Sequence, residues 1–488
     1  MSDESPDPPP PPPSEPVTRP VGGTEYSWCR AVPGGTGITV LALLLAKPPD
    51  LSLLRNALHG LQKSHPILRS RIRFDPAANA FSFVIPSSPH LEIAPFDLSS
   101  TSRILNGEDG GGGEGEGGGA GGEGDAAGAT PLHRILEHEM NRNAWRDSGG
   151  GGDDGDGAGT DVFHASLYHL SEDRWALALR LHTGACDRAA AAALLRRLLL
   201  VAAEEGRDRD REEEAADANR GIEELIPSGK ANKPFWARGM DLLGYSLNSF
   251  RLAHLEFVDA ESPRCSRMMR LKMNREDTQR LIEGCKSREI KLCGVLAAAA
   301  LIAAHTSKQQ PTDNQWEKYA VVTLVDCRSY LNPPLSVQHP GFYHSAILNT
   351  HDISGSEKLW DLAKRTYTAF ANAKNWNKHF TDMGDLNFLM CKAIDNPGLT
   401  VSSSLRTAFV SVFEDTVFDE SNPLHEEIGV RDYIGCASVH GIGPSIAFFD
   451  TIRDGELDCA CAYPSPLHSR EQMQKLIDDM KRILADAD

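Results

Sequence analysis

The sequence has no long hydrophobic run, no paired cysteine spacing and no basic stripe, and each absence removes a class of function. The longest largely apolar stretches of the 488 residues are Ile38–Ala46 and Val295–Ala304. Both fall short of the roughly 20 residues that a membrane-spanning helix needs. The N-terminus is acidic and proline-rich rather than basic and then apolar, so no secretory signal is read there. The ten cysteines (29, 186, 265, 285, 293, 327, 391, 436, 459 and 461) lack CxxC pairing, which points to reduced, mostly buried thiols in a soluble cytoplasmic protein. Lysine and arginine are nowhere concentrated into a track for a phosphate backbone, so a nucleic-acid partner is not expected.

The formal net charge of −18 is strongly local. Residues 1–18, 107–128 and 149–160 hold 13 acidic side chains and no Lys or Arg, leaving the rest of the chain only mildly acidic. The first segment includes six consecutive prolines and reads as an extended tail. The other two contain 20 of the 43 glycines and read as insertions that cannot offset the entropy of ordering by burying anything. Deleting residues 107–128 is therefore expected to leave the thermal melting temperature nearly unchanged, and a large drop in a melting curve would contradict that reading.

Elsewhere, strand and helix patterns alternate. Strands are expected at Ile38–Ala46, Arg71–Phe74, Ala80–Ile85, Val162–Leu170 and Arg174–His182, with helices at Leu51–Ser64 (Asp50 as N-cap) and Leu132–Trp145. Gly34-Gly35-Thr36-Gly37 precedes a strand and lacks the Gly-Lys-Ser/Thr ending of a phosphate loop, so it reads as a turn. Glu204–Asp217 reads as a solvated charge run. After a connection at 227–262, a second set follows: strands at Met268–Lys272, Tyr319–Val325, Ala408–Phe413, Ser445–Phe449 and Leu457–Tyr463, and helices at Arg275–Ser287, Leu292–Thr306, Glu357–Ala373 and Arg470–Ala485. Asp454-Gly455 marks a hairpin between the last two strands. The fold class is α/β (α+β), divided into a tail at 1–19, a lobe at 20–226, the connection, and a second lobe at 263–488.

The centre of this pattern is Arg174–Arg197. Trp175, Leu177, Leu179 and Leu181 share one parity, and Ala176, Ala178, Arg180 and His182 share the other. His182 thus falls at a strand end, before a short loop to Asp187 and an Ala/Leu-rich helix. An imidazole held between rigid elements is well placed for proton transfer.

In this order, the segments resemble the chloramphenicol-acetyltransferase-like acyltransferase superfamily, which includes plant BAHD acyltransferases, condensation domains and alcohol acetyltransferases. The residues that carry the resemblance are Leu51–Leu61 running into Ser64-His65-Pro66-Ile67-Leu68-Arg69-Ser70-Arg71, the hairpin ending at His182 with Asp187, the stretch Met268–Ala303, and Val325-Asp326-Cys327-Arg328 with Asn332-Pro333-Pro334 and Gly341. The resemblance implies two similar lobes around a central tunnel in a stand-alone, plant-type monomer. It implies acyl transfer from a thioester to a hydroxyl or amine of a small molecule. His182 would be the general base, and Asp187 and Arg328 a supporting pair. Acyl-CoA would be the co-substrate, with no permanently bound cofactor. The match is not uniform. The superfamily signature is His-x-x-x-Asp-Gly, whereas His182-Thr-Gly-Ala-Cys-Asp187-Arg188 is one residue longer and ends in arginine. The BAHD motif Asp-Phe-Gly-Trp-Gly has no counterpart.

Competing readings remain. Asp187 is also placed as a simple N-cap. Cys186 lies four residues after His182, which suggests a thiol nucleophile, but nothing else supports it and a small buried thiol is the commoner case; His164, His169, His182 and Cys186 suggest a metal cluster, but their spacing matches no zinc pattern. His344 and His440 carry no assignment. An inactive scaffold that keeps the fold but not the chemistry is the alternative function.

Overall fold

The computed structural model describes residues 16–108, 129–146, 159–203, 219–234, 236–240, 244, 252–308, 316–420 and 423–486. The Glu204–Asp217 charge run lies outside the described residues, as do the glycine tracts except Gly107, Glu108, Gly159 and Thr160, and the first 15 residues of the tail. The tail boundary moves: Val17–Pro20 is a strand, antiparallel to Ala80–Ile85 with Val17 opposite Ile85.

The first lobe is built on a five-stranded sheet in the spatial order Val430–Val439, Thr36–Leu45, Arg174–His182, Phe163–Ser171 and Ile93–Phe96. A four-stranded sheet of Val17–Pro20, Ala80–Ile85, Arg71–Asp75 and Thr160–Asp161 lies beside it. Thr36–Leu45 is buried nearly throughout, because sheet neighbours and helices cover both its faces. Helix Leu51–Ser64 forms where its apolar spacing predicts, and the Asp50 carboxylate accepts from the Ser52 and Leu53 amides as N-cap. Helix Pro131–Asn141 stops before Trp145, four residues short of the expected end, and Trp145 is buried in the core.

The second lobe is a seven-stranded sheet. Its path runs His344–Ile353, Glu317–Asp326, Arg406–Phe413, Gly443–Arg453, Glu456–Ser465 and Cys265–Met273, with Val417–Asp419 added beside Gly443–Arg453. Helix Leu292–Ser307 is apolar all round and is buried from Leu292 to Ala304, as expected of a core helix. It packs closely on helix Leu359–Asn375, where a Cβ on Gly294 would come within 2.8 Å of Tyr367 Cβ. No single helix among the described residues is long and apolar enough to cross a membrane.

The lobes interleave. Strand Val430–Val439, drawn from the second half of the chain, completes the first-lobe sheet by pairing with Thr36–Leu45, Cys436 opposite Val40. Helix Met383–Asp395 also crosses over to helix Gly23–Ala31, where Asn387 Nδ2 donates to Thr24 Oγ1 at 2.9 Å. The crossover strand is not legible as a core strand because Arg431 and Asp432 interrupt its apolar pattern. Asp432 is tolerated there because Arg270 (2.5 Å) and Arg453 (3.0 Å) neutralise it.

Candidate active site

The loop Thr183–Asp187 turns tightly at the end of its strand, with the amides of Ala185 and Cys186 donating to the His182 carbonyl. It docks on the second lobe through its backbone, since the Asp187 amide donates to the Gly341 carbonyl at 3.0 Å. The Asp187 carboxylate then takes hydrogen bonds from both lobes. Oδ1 accepts from Arg328 Nη2 at 3.0 Å and from the Ala190 amide at 3.0 Å; Oδ2 accepts from the Tyr343 amide at 2.9 Å. Asp187 is thus the N-cap of helix Arg188–Ala203 and the Arg328 partner at once. Arg328 also contacts Asp326 at 3.0 Å and donates to the His339 carbonyl.

Burial alone would raise the pKa of Asp187. The Arg328 guanidinium, His344 and the hydrogen bonds outweigh it, holding the carboxyl well below the usual carboxylate range. Arg328 is the mirror case: burial opposes its charge, and the carboxylates of Asp187 and Asp326 push its pKa up. This buried ion pair ties the lobes at their junction.

A cavity of about 1240 Å³, counting its open mouths, lies beside the pair. Thr183, Asp187 and His344 line its polar part, and Leu195, Leu199 and Phe413 belong to its mostly apolar wall. Arg188, at the signature's final glycine, also lines it; its guanidinium sits 4.3 Å over the Phe413 ring and 3.3 Å from Asp450.

The structure does not bring His182 to this cavity. Thr39 and Leu41 line the cavity from the neighbouring strand and pair directly with Leu181 and Leu179, so the cavity lies on the odd face of the His182 strand. His182 occupies the even face, 1% exposed, with its ring edge-on to Trp145 at 5.4 Å. Its Nδ1 accepts from the Gly184 amide at 3.1 Å, which places the proton of the neutral ring on Nε2. Burial lowers its pKa to about 3.

Counting four residues back from Asp187, as the signature does, reaches Thr183. The residue at the signature's histidine position is therefore a threonine facing the cavity, and the extra residue in the spacing sets His182 one place early, on the other face.

His344 opens strand His344–Ile353, one of the residues to which sequence reasoning gave no role. Its Nδ1 lies 2.9 Å from Asp187 Oδ2, close in distance though bent from an ideal hydrogen bond. The signal that could have found it was its place three residues after Gly341, in the segment opposite the Asp187 loop.

The competing chemistries find no support in these positions. Burial, reinforced by Asp187, pushes the Cys186 thiol well up, which disfavours a thiolate nucleophile. All ten cysteines are free thiols. Among the described residues, no group of three or more His, Cys, Asp or Glu side chains is placed to hold a metal ion.

Comparison with known proteins agrees with this architecture. Residues 262–373 match the family described as the phthiocerol/phthiodiolone dimycocerosyl transferase C-terminus. The trichothecene 15-O-acetyltransferase of Fusarium sporotrichioides superposes with a TM-score of 0.68 at 11% identity, covering 96% of this chain and 95% of that one. The first condensation domain of the CDA synthetase gives 0.62 at 14% identity, covering 96% and 97%. Polyketide synthase associated protein 5 of Mycobacterium tuberculosis gives 0.59 at 16% identity, covering 96% and 97%. No characterised protein sequence matches the chain significantly. The fold is the two-lobed α/β fold that these condensation-domain and acetyltransferase structures share.

Proposed function

We propose that this protein transfers an acyl group from a thioester, acyl-CoA being the simplest donor, to a hydroxyl or amine of a small molecule. The observation that supports this most is the cavity at the lobe junction. It joins an apolar wall suited to an acyl chain to a buried, ionised Asp187 and a histidine at its polar end. Attack on a thioester carbonyl needs a base for the acceptor's proton, and such a base contributes roughly 10²–10⁴-fold. The family resemblance alone would give that role to His182, but its place on the sheet face away from the cavity, with Nδ1 taken by the Gly184 amide, weighs against it.

Thr183 at the signature's histidine position favours a second reading, an inactive scaffold that binds acyl compounds without turning them over. Release of free thiol from hexanoyl-CoA, measured with a thiol reagent across primary alcohols and amines, separates the two. Acceptor-dependent release supports the enzyme; saturable binding of hexanoyl-CoA without release supports the scaffold.

A further inference from the structure

We propose that His344, oriented by Asp187, is the general base of this site. The inference rests on the acyl-transfer reading and assigns its proton chemistry to a residue of the second lobe.

A base must present a free lone pair to the acceptor. The two histidines near the junction differ in this respect. In His182 the Gly184 amide occupies the Nδ1 lone pair, so the neutral ring carries its proton on Nε2 and has no free lone pair to offer. In His344 the arrangement is reversed. Asp187 Oδ2, 2.9 Å from Nδ1, favours the tautomer protonated at Nδ1 and leaves the Nε2 lone pair free. The Nδ1–Oδ2 angle is bent, as catalytic hydrogen bonds commonly are before substrate binds.

Placement agrees with the tautomers. His344 and Asp187 line the cavity, whereas His182 sits across the sheet against Trp145. Phe413 holds the His344 ring edge-on at 5.7 Å, and Phe342 lies 6.2 Å away on the tilt. Asp187 is itself fixed by Arg328, the Ala190 amide and the Tyr343 amide, so the dyad is anchored from both lobes. The arrangement suits an orienting carboxylate that stays ionised while the imidazole gains and loses charge.

The step balances with these groups alone. The acceptor oxygen (or nitrogen) bonds to the thioester carbonyl carbon as its proton passes to His344 Nε2, and the carbonyl π pair moves onto oxygen. When the tetrahedral intermediate collapses, that pair re-forms the C=O bond and the C–S bond breaks. The departing thiolate takes the proton from Nε2, and the ring returns to neutral beside Asp187. Thr183 lines the same cavity.

Two measurements test the proposal. The first compares thiol release from hexanoyl-CoA by the full chain and by His344→Gln and His182→Ala, each checked by its thermal melt. His344→Gln is expected to lower kcat by roughly 10²–10⁴-fold with KM for hexanoyl-CoA within a few-fold, while folded His182→Ala stays within about tenfold of the parent. A His344→Gln enzyme keeping more than about a tenth of parental kcat would overturn the proposal and leave the acyl-transfer reading standing. The second measurement does not need turnover or a folded variant. The full chain is treated with a bromomethyl ketone carrying a six-carbon tail, and the alkylated residues are mapped by mass spectrometry. Alkylation of His344 in preference to His182 is expected; alkylation of His182, or of neither histidine, would overturn the assignment. If no acceptor supports thiol release yet His344 is alkylated, the acyl-transfer reading fails while the assignment of the cavity's free imidazole nitrogen stands.

Discussion

Arg328→Met is expected to destabilise the protein by about 3–5 kcal/mol at neutral pH, the usual cost of removing one partner of a buried ion pair. Arg328 and Asp187 are 2% and 1% exposed, and the substitution would leave the carboxylate buried without its cation. Two backbone amides and His344 remain around Asp187, but none supplies the permanent charge of a guanidinium. The pH dependence follows from the direction of the Asp187 shift. Its folded pKa lies below the unfolded value of about 3.9, so the pair's contribution is fully present above that pH and is lost as pH falls through the folded value. In Arg328→Met burial dominates and raises the carboxyl pKa, so acid should relieve part of the penalty. Urea midpoints of parent and variant should differ most near pH 7 and draw closer as pH falls. A gap that does not narrow with acid would mean that Asp187 is not the group left uncompensated.

The second large effect is expected on the sheet face that carries His182. Glu139, fully buried on helix Pro131–Asn141, accepts from Arg180 Nη1 at 2.6 Å, from Arg142 Nη1 at 2.9 Å and from the Tyr168 hydroxyl. Burial works against its charge, and the two arginines more than reverse this, lowering its pKa. Arg180 is itself 5% exposed, so Glu139→Gln strands a buried guanidinium and should cost about 3–5 kcal/mol. Replacing both partners, Glu139→Leu with Arg180→Met, should recover most of that loss, because no charge is then left unpaired. If the double variant unfolds at the same urea concentration as Glu139→Gln, the stranded charge is not the cause.

The elements with strong periodicity and clear caps were legible in the sequence. Leu51–Ser64, Arg275–Ser287 and Arg470–Ala485 form over the residues their patterns predict, because apolar spacing and an N-cap agree in each. The elements not read from sequence depend on partners far along the chain. Strand Val430–Val439 is stabilised by Thr36–Leu45 and by Arg270 and Arg453 against Asp432, none of them local. Strand Ile93–Phe96 contains Pro95, which argues against a central strand, and it lies at the edge of its sheet. At the site, the parity that placed His182 opposite the large apolar side chains was readable, but the side on which the cavity opens was not. That side is set by helix Arg188–Ala203 and by strands of the second lobe. The pairing of His344 with Asp187 spans 157 positions and carries no local signal.

The proposed acyl transfer would take place in the cavity at the lobe junction. Its most direct test is the time course of free thiol released from hexanoyl-CoA by the purified full chain, with and without primary alcohol and amine acceptors. Acceptor-dependent release that saturates with hexanoyl-CoA and yields one acylated acceptor per thiol, identified by mass spectrometry, is the expected result. Saturable binding of hexanoyl-CoA with thiol release no faster than in buffer, across the whole acceptor panel, would contradict it.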